Sequence, residues 1–178
     1  MKILSLDLGT TTGWATRYDG KLCAGSWELA TEKELKSQRE IRGDRRLDMR
    51  IPALWQKLIE AERVFLRFDY FVFEDVRFMK STAQGQLWPS FRTTVWLYAH
   101  MKRARTECLD TGKLKLWATG NGGSTKEMMA VWLAKKIPSE VRFYDRALRL
   151  VDTDTILDDN AVDATHLLLW AEHTLKNG

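Results

Sequence analysis

The chain opens Met1-Lys-Ile-Leu-Ser-Leu-Asp7-Leu-Gly9-Thr10, apolar from Ile3 to Leu8 except at Ser5 and Asp7. Ile3, Ser5 and Asp7 alternate with Leu4, Leu6 and Leu8, which predicts a buried strand ending in a carboxylate, followed by a turn bounded by Gly9 and Gly13. Trp14–Arg17 and Lys21–Leu29 read as two further strands. Tyr18-Asp19-Gly20 joins them, and Asp-Gly between apolar runs is a strong hairpin signal. The first three strands therefore form an antiparallel meander. A polar stretch follows, then a helix in which Leu47, Ile51, Leu54, Leu58, Ala61 and Phe65 recur every three or four residues, with Pro52 near its start or at a kink.

Asp69-Tyr-Phe-Val-Phe-Glu74 is a second buried strand ending in an acid. A polar segment from Met79 to Gln86 leads into a long helix over about Leu87–Glu107. Leu114–Trp117 reads as a short strand and Thr119-Gly-Asn-Gly-Gly123 as a loop. Ser124 then suits a helix N-cap, with Glu127 three residues on completing a capping box, and that helix ends near Lys136, before Pro138. Residues 139–157 read as loop or a short irregular piece. Asp158 or Asp159 begins a last helix carrying Ala161, Ala164, Leu168 and Ala171 on one face. The order β-β-β-α-β-α-β-α-α predicts one α/β domain over residues 1–178. Its sheet is mixed and five-stranded, a three-strand meander joined to βα units, with helices on both faces.

With 44% hydrophobic residues, eight Trp and three Pro, the chain has the composition of a folded globular protein. No apolar run approaches the ~20 residues that span a bilayer, and the N-terminus lacks the pattern of a signal peptide. Cys23 and Cys108 are isolated, with no zinc-ligand spacing, and read as reduced thiols of a cytoplasmic protein. A net charge of +4 suits a polyanionic partner. Arg39, Arg42, Arg45, Arg46 and Arg50 form one basic cluster; Lys102, Arg103 and Arg105 form another.

Acids change what that charge means. Asp7 and Glu74 end strands that can be sheet neighbours, where open α/β sheets bind ligands. In the last helix Asp159 and Asp163 are four residues apart, and Asn160 and Asp163 three apart, so each pair shares a face. Asp158 reads as ordinary acid placement at a helix start, but Asp163 lies a turn inside an apolar helix. Hard cations such as Mg²⁺ and Mn²⁺ take oxygen ligands. Two such ions about 4 Å apart can activate a water and stabilise the leaving oxygen at phosphorus. Asp7 is then the bridging ligand, Glu74 and Asp163 hold one ion each, and Asp159 or Asn160 assists. This predicts a two-metal phosphoryl-transfer site with Asp7, Glu74, Asp159 and Asp163 as its catalytic acids. Lys126, opening a helix after glycines, reads by itself as an exposed surface lysine, though free backbone N–H groups at such a helix start can meet a phosphate. His166, one turn beyond Asp163, is a candidate to orient water or touch the scissile phosphate. Arg77, Lys80 and Arg92 flank Glu74 and are candidates for contacts with a phosphate backbone.

The segments Ile-Leu-Ser-Leu-Asp7-Leu-Gly-Thr with Gly13-Trp14, Phe-Val-Phe-Glu74, Thr119-Gly-Asn-Gly with Thr125-Lys126, and Asp159-Asn-Ala-Val-Asp163-Ala resemble, in this order, the RuvC-type Holliday-junction resolvases. These belong to the ribonuclease H-like superfamily, and the shorter phage forms are the nearest in pattern. The resemblance implies a metal-dependent homodimer that nicks four-way DNA junctions symmetrically in recombination and repair. It implies DNA contacts at Asn121, Thr125 and Lys126. Family members often carry Asp where this chain has Asn160, so Asp159 is the candidate substitute. They also place a base-stacking aromatic just after the strand Glu, and Phe78 stands one residue from that position.

The reading with most support is a Mg²⁺- or Mn²⁺-dependent endonuclease for Holliday junctions and related branched DNA, acting in a bacterial or phage-infected cytoplasm. It would leave 5′-phosphate and 3′-hydroxyl ends. A nuclease of the same fold acting on RNA or RNA–DNA hybrids is the alternative, because metals read phosphates and not sugars. An actin-like nucleotide-binding domain shares the Asp-x-Gly-Thr-Thr loop but needs a second domain and a second phosphate loop. A non-catalytic DNA-binding relative is opposed by the intact Asp7, Glu74 and Asp163.

Overall fold

The computed structural model describes residues 1–40, 48–75, 82–137, 141–144, 150–151 and 158–177. Strands β1 (Ile3–Asp7), β2 (Thr11–Tyr18) and β3 (Lys21–Glu28) form the expected meander. Asp19 and Gly20, at φ 53° and 72°, are both left-handed, as a two-residue primed turn matching strand twist requires. The polar stretch after β3 holds a helix, α1 (Glu32–Glu40). A capping box starts it: the Thr31 N–H donates to Glu34 Oε2 at 2.8 Å, and the Glu34 N–H donates to Thr31 Oγ1 at 3.2 Å. Helix α2 (Arg50–Phe65) buries Leu54, Leu58, Ala61 and Phe65. Pro52 sits in its first turn, where the missing N–H has no helical partner to lose.

Strand β4 (Tyr70–Asp75) is followed by α3 (Thr82–Met101). That helix ends earlier than its sequence pattern suggests. Arg103 adopts φ 55°, and the chain re-enters the sheet as β5 (Arg105–Asp110). The fifth strand is therefore here and not at Leu114–Trp117, which belongs to α4 (Thr111–Thr119). Leu114 and Leu116 mimic strand alternation, yet the buried pair is Leu114 and Ala118, four apart, and Leu116 is 56% exposed. The Asp110 side chain caps α4 by accepting from the N–H groups of Gly112 and Lys113, and Gly120 at φ 81° ends it.

Helix α5 (Lys126–Lys136) is capped by Thr125 and not by Ser124. The Ser124 hydroxyl is buried within the preceding loop, 2.5 Å from Thr119 Oγ1. Two short strands, β6 (Val141–Tyr144) and β7 (Leu150–Val151), lie where a loop was expected, and α6 (Asp159–Asn177) closes the fold.

The sheet order is β5-β4-β1-β2-β3-β6-β7. Its centre is the predicted five-stranded mixed set, with β1–β4 and β4–β5 parallel beside the antiparallel meander; β6 and β7 extend it beyond β3. On one face Leu4, Leu6, Leu8, Phe71 and Phe73 pack with α2 and α3. On the other, Ile3, Tyr70 and Val72 pack with α4, α5 and α6. The period of two along β1 and β4 thus turns Ser5, Asp7 and Glu74 to the α6 side. No helix among the described residues is long and apolar enough to cross a membrane.

Candidate active site

Strands β1 and β4 run parallel with Leu6 beside Phe73, so their next residues, Asp7 and Glu74, stand side by side at the carboxyl edge of the sheet. The two carboxyls are hydrogen-bonded, and Asp7's proton affinity is raised well above the ordinary value. Burial is the largest cause, followed by the charges of Glu74 and Asp163 and the bond to Glu74. Asp163 approaches from α6. Burial and the neighbouring Glu74 push its pKa to about 6, against the pull of Lys126 and Lys115. Asp7 and Asp163 therefore meet Glu74 in a partly dry place that disfavours the charged forms of the two aspartates.

The last helix reaches this point because β2 gives it room. Gly13 is the strand partner of Asp7, and a Cβ on Gly13 would lie 1.9 Å from Asn160 O and 2.2 Å from Asn160 C. The first turn of α6 thus rests on bare backbone. One turn later the Ser5 hydroxyl donates to Ala164 O at 2.7 Å, which explains the lone neutral polar residue within β1. Asp158 has the capping role expected of it: Oδ1 accepts from the Ala161 N–H at 2.9 Å and from the Ser26 hydroxyl at 2.7 Å. Small side chains, one serine and one cap together set Asp163 over Asp7.

The other site residues divide. Lys126 Nζ lies 3.1 Å from Asp159 Oδ2; that hydrogen bond, followed by the charges of Asp159, Asp163 and Asp7, raises its pKa against the effect of burial. Asp159 faces this lysine and is more than half exposed. Asn160 is half-buried beside it. Lys115, on α4, draws on Asp163 from a second side; reading its segment as a strand concealed it. Asn121 Oδ1 accepts from the Gly123 N–H at 2.9 Å, and Thr125 Oγ1 from the Met128 N–H at 3.4 Å, so both polar tips shape the loop leading to Lys126. Arg77, Phe78 and Lys80 lie outside the described residues. Arg92 is held between the rings of Trp88 and Trp96, 4.9 and 4.6 Å from their centroids. His166 corrects an expectation: it is fully buried, with Nε2 3.0 Å from Met129 O. A ring with no exposed surface cannot touch a scissile phosphate.

Among the described residues no three His, Cys, Asp or Glu side chains are already drawn into a metal-binding set. The donors nonetheless suit a hard cation: all are carboxylate oxygens, and the raised proton affinities of Asp7 and Asp163 are what a divalent charge would relieve.

No protein-family model and no curated protein matches the sequence. Solved structures do. Thermus thermophilus RuvC in complex with a Holliday junction substrate superposes with a TM-score of 0.68 at 15% identity, over 100% of this chain and 96% of that one. The chain has the RuvC fold. A second structure of T. thermophilus RuvC gives a TM-score of 0.60 at 15% identity, over 98% and 96% of the two chains. The yeast mitochondrial Holliday junction resolvase Ydc2 gives 0.52 at 12% identity, over 93% of this chain and 75% of that one. In this chain the RuvC fold brings Asp7, Glu74 and Asp163 together from two adjacent strands and one helix.

Proposed function

We propose that this single-domain protein is a divalent-metal-dependent endonuclease that resolves Holliday junctions and related branched DNA by hydrolysing phosphodiester bonds. The observation that carries the reading is the meeting of Asp7, Glu74 and Asp163, within a fold shared with a RuvC seen on a Holliday junction. Asp7, Glu74 and Asp163 would hold two Mg²⁺ or Mn²⁺ ions, with Asn160 or Asp159 at the rim. When bound, the ions supply an activated water and charge stabilisation at the leaving oxygen. Lys126 and Lys115 place positive charge at the edge of the acids, where a phosphate can be held in line without neutralising them. Glu74 is buried and Asp7 half-buried, which limits the bulk water competing for those positions. The products would carry 5′-phosphate and 3′-hydroxyl ends. Cys23 and Cys108 form no disulfide, which suits a reducing cytoplasm.

Cleavage of labelled four-way junctions, forks, linear duplex and RNA–DNA hybrid with Mg²⁺ or Mn²⁺ tests this. Paired nicks in the junction are expected, abolished in Glu74→Gln while binding persists. Cutting of the hybrid alone would keep the metal site and replace the substrate. ATP binding without any cutting would overturn the nuclease reading.

A symmetric pair of nicks needs two sites. Helix α3 exposes Trp96, Leu97 and Met101, at 40, 56 and 68%, and apolar surface of this kind supports a homodimer. Sedimentation should show a dimer for the wild type and a monomer for Leu97→Glu, whose buried charge would oppose closure. A monomeric wild type would remove the homodimer.

A further inference from the structure

We propose that His166 is a positioning residue: its bond to α5 fixes the height at which Lys126 stands over the carboxylates. The inference rests on the nuclease reading above and assigns a role to a residue outside the acid set. Met129 O can only accept, so His166 Nε2 carries the proton and donates across 3.0 Å. Met129 lies within one turn of Lys126, and His166 within one turn of Asp163. A single buried bond therefore links the turn that bears the lysine to the turn that bears the acid.

The alternatives for holding α5 in register are weaker. The Lys126–Asp159 pair is 60% and 55% exposed, and pairs in that setting restrain little. Met129 and Leu133 pack with Leu167 and Leu168, but apolar packing tolerates sliding where a hydrogen bond does not. The histidine also carries a cost. Nδ1 is buried and has no hydrogen-bond partner among the described residues, and an apolar ring of the same size would avoid that penalty. What the apolar ring lacks is the Nε2 donor. Desolvation holds the imidazole neutral, so it brings no charge to compete with the lysines.

Junction binding measured against salt, with nicking rates alongside, separates this role from simple packing. Neutralising one phosphate contact makes the slope of log affinity against log salt shallower by about one, and Lys126→Gln is expected to show that change. His166→Phe should reproduce it, with nicking reduced about 10²-fold and thermal stability equal to or above wild type. The double variant should be no worse than Lys126→Gln alone. His166→Gln, whose amide can donate to the same carbonyl, should restore most of the slope and rate. Mg²⁺ affinity measured by calorimetry should be unchanged in the His166 variants. His166→Met serves in place of the phenylalanine variant should that one not fold.

A wild-type slope and rate in His166→Phe would overturn the proposal. So would a loss of Mg²⁺ affinity, which would place the effect on the acids. If the wild type nicks no junction, it is the nuclease reading that fails. If it nicks and only the His166 variants are silent, the positioning role alone fails.

Discussion

Gly13→Ala is expected to abolish junction nicking and to destabilise the protein more than most buried glycine-to-alanine changes. The added methyl would sit 1.9 Å from Asn160 O and 2.9 Å from Ala161 N. Both are backbone atoms of the first turn of α6, so no side chain can turn aside. The helix must lift or the strand must bend. Overpacking a core costs about 1–3 kcal/mol when side chains absorb it, and this contact belongs at the top of that range or above it. Lifting the turn carries Asp163 away from Asp7, and an error of about 1 Å at a reacting centre costs about 10²-fold in rate. Thermal unfolding and single-turnover nicking measure the two effects. A variant as stable and as active as wild type would show that α6 does not rest on β2 as described.

Asp7→Asn is expected to remove nicking by at least about 10³-fold, the scale of losing a principal electrostatic contact in an active site, and yet to stabilise the metal-free protein at neutral pH. The two effects share one origin. Asp7 and Asp163 both bind protons more tightly in the folded state than in the unfolded chain. The stability they contribute is therefore fully present below the unfolded carboxyl value. It is lost as the pH rises through the folded values, about 6 for Asp163 and well above the ordinary carboxyl range for Asp7. For Asp163 the loss is roughly 3 kcal/mol, or about 6–12 °C in a domain of this size. The metal-free wild type should accordingly melt lower at pH 8 than at pH 5. Mg²⁺, binding the ionised acids, should raise the melting temperature far more at pH 8 than at pH 5. Asp7→Asn should flatten the pH dependence and blunt the Mg²⁺ response. A melting temperature that rises steadily from pH 5 to 8 without metal would contradict the crowding of these carboxyls.

The parts of the fold that could be read from the sequence are those whose burial is two-sided or whose turns need special backbone. β1 and β4 are continuous apolar runs because helices cover both sheet faces, and Asp19-Gly20 is the residue pair that a primed turn demands. The acids were visible because each breaks an apolar pattern: Asp7 and Glu74 end buried strands, and Asp163 interrupts a helix of alanines and leucines. β5 was hidden by its place near the margin. As an edge strand it carries Arg105, Glu107 and other polar residues, so it shows no apolar run. α4 was mistaken because Leu114 and Leu116 fit a period of two, whereas the cap at Asp110 and the left-handed Gly120 fit a helix. That error also hid Lys115, whose nearness to Asp163 depends on the helical path. α1 was hidden by its near absence of apolar residues, although Thr31 and Glu34 form the capping box that starts it. The role of His166 was beyond the sequence, since nothing local signals that Met129 O will lie against it.

The contact between Ser5 and Ala164 joins β1 to α6, which follows it in the chain by about 150 residues. Nothing between them can substitute for α6, because Asp163 arrives only with it. A nascent chain that has completed β1 to β5 can bury one sheet face against α2 and α3 while the other face waits for α6. During that interval Asp7 and Glu74 face solvent without their third acid. The order of synthesis thus keeps the carboxylate cluster incomplete until α6 has emerged, so a product released before α6 would carry two of the three acids.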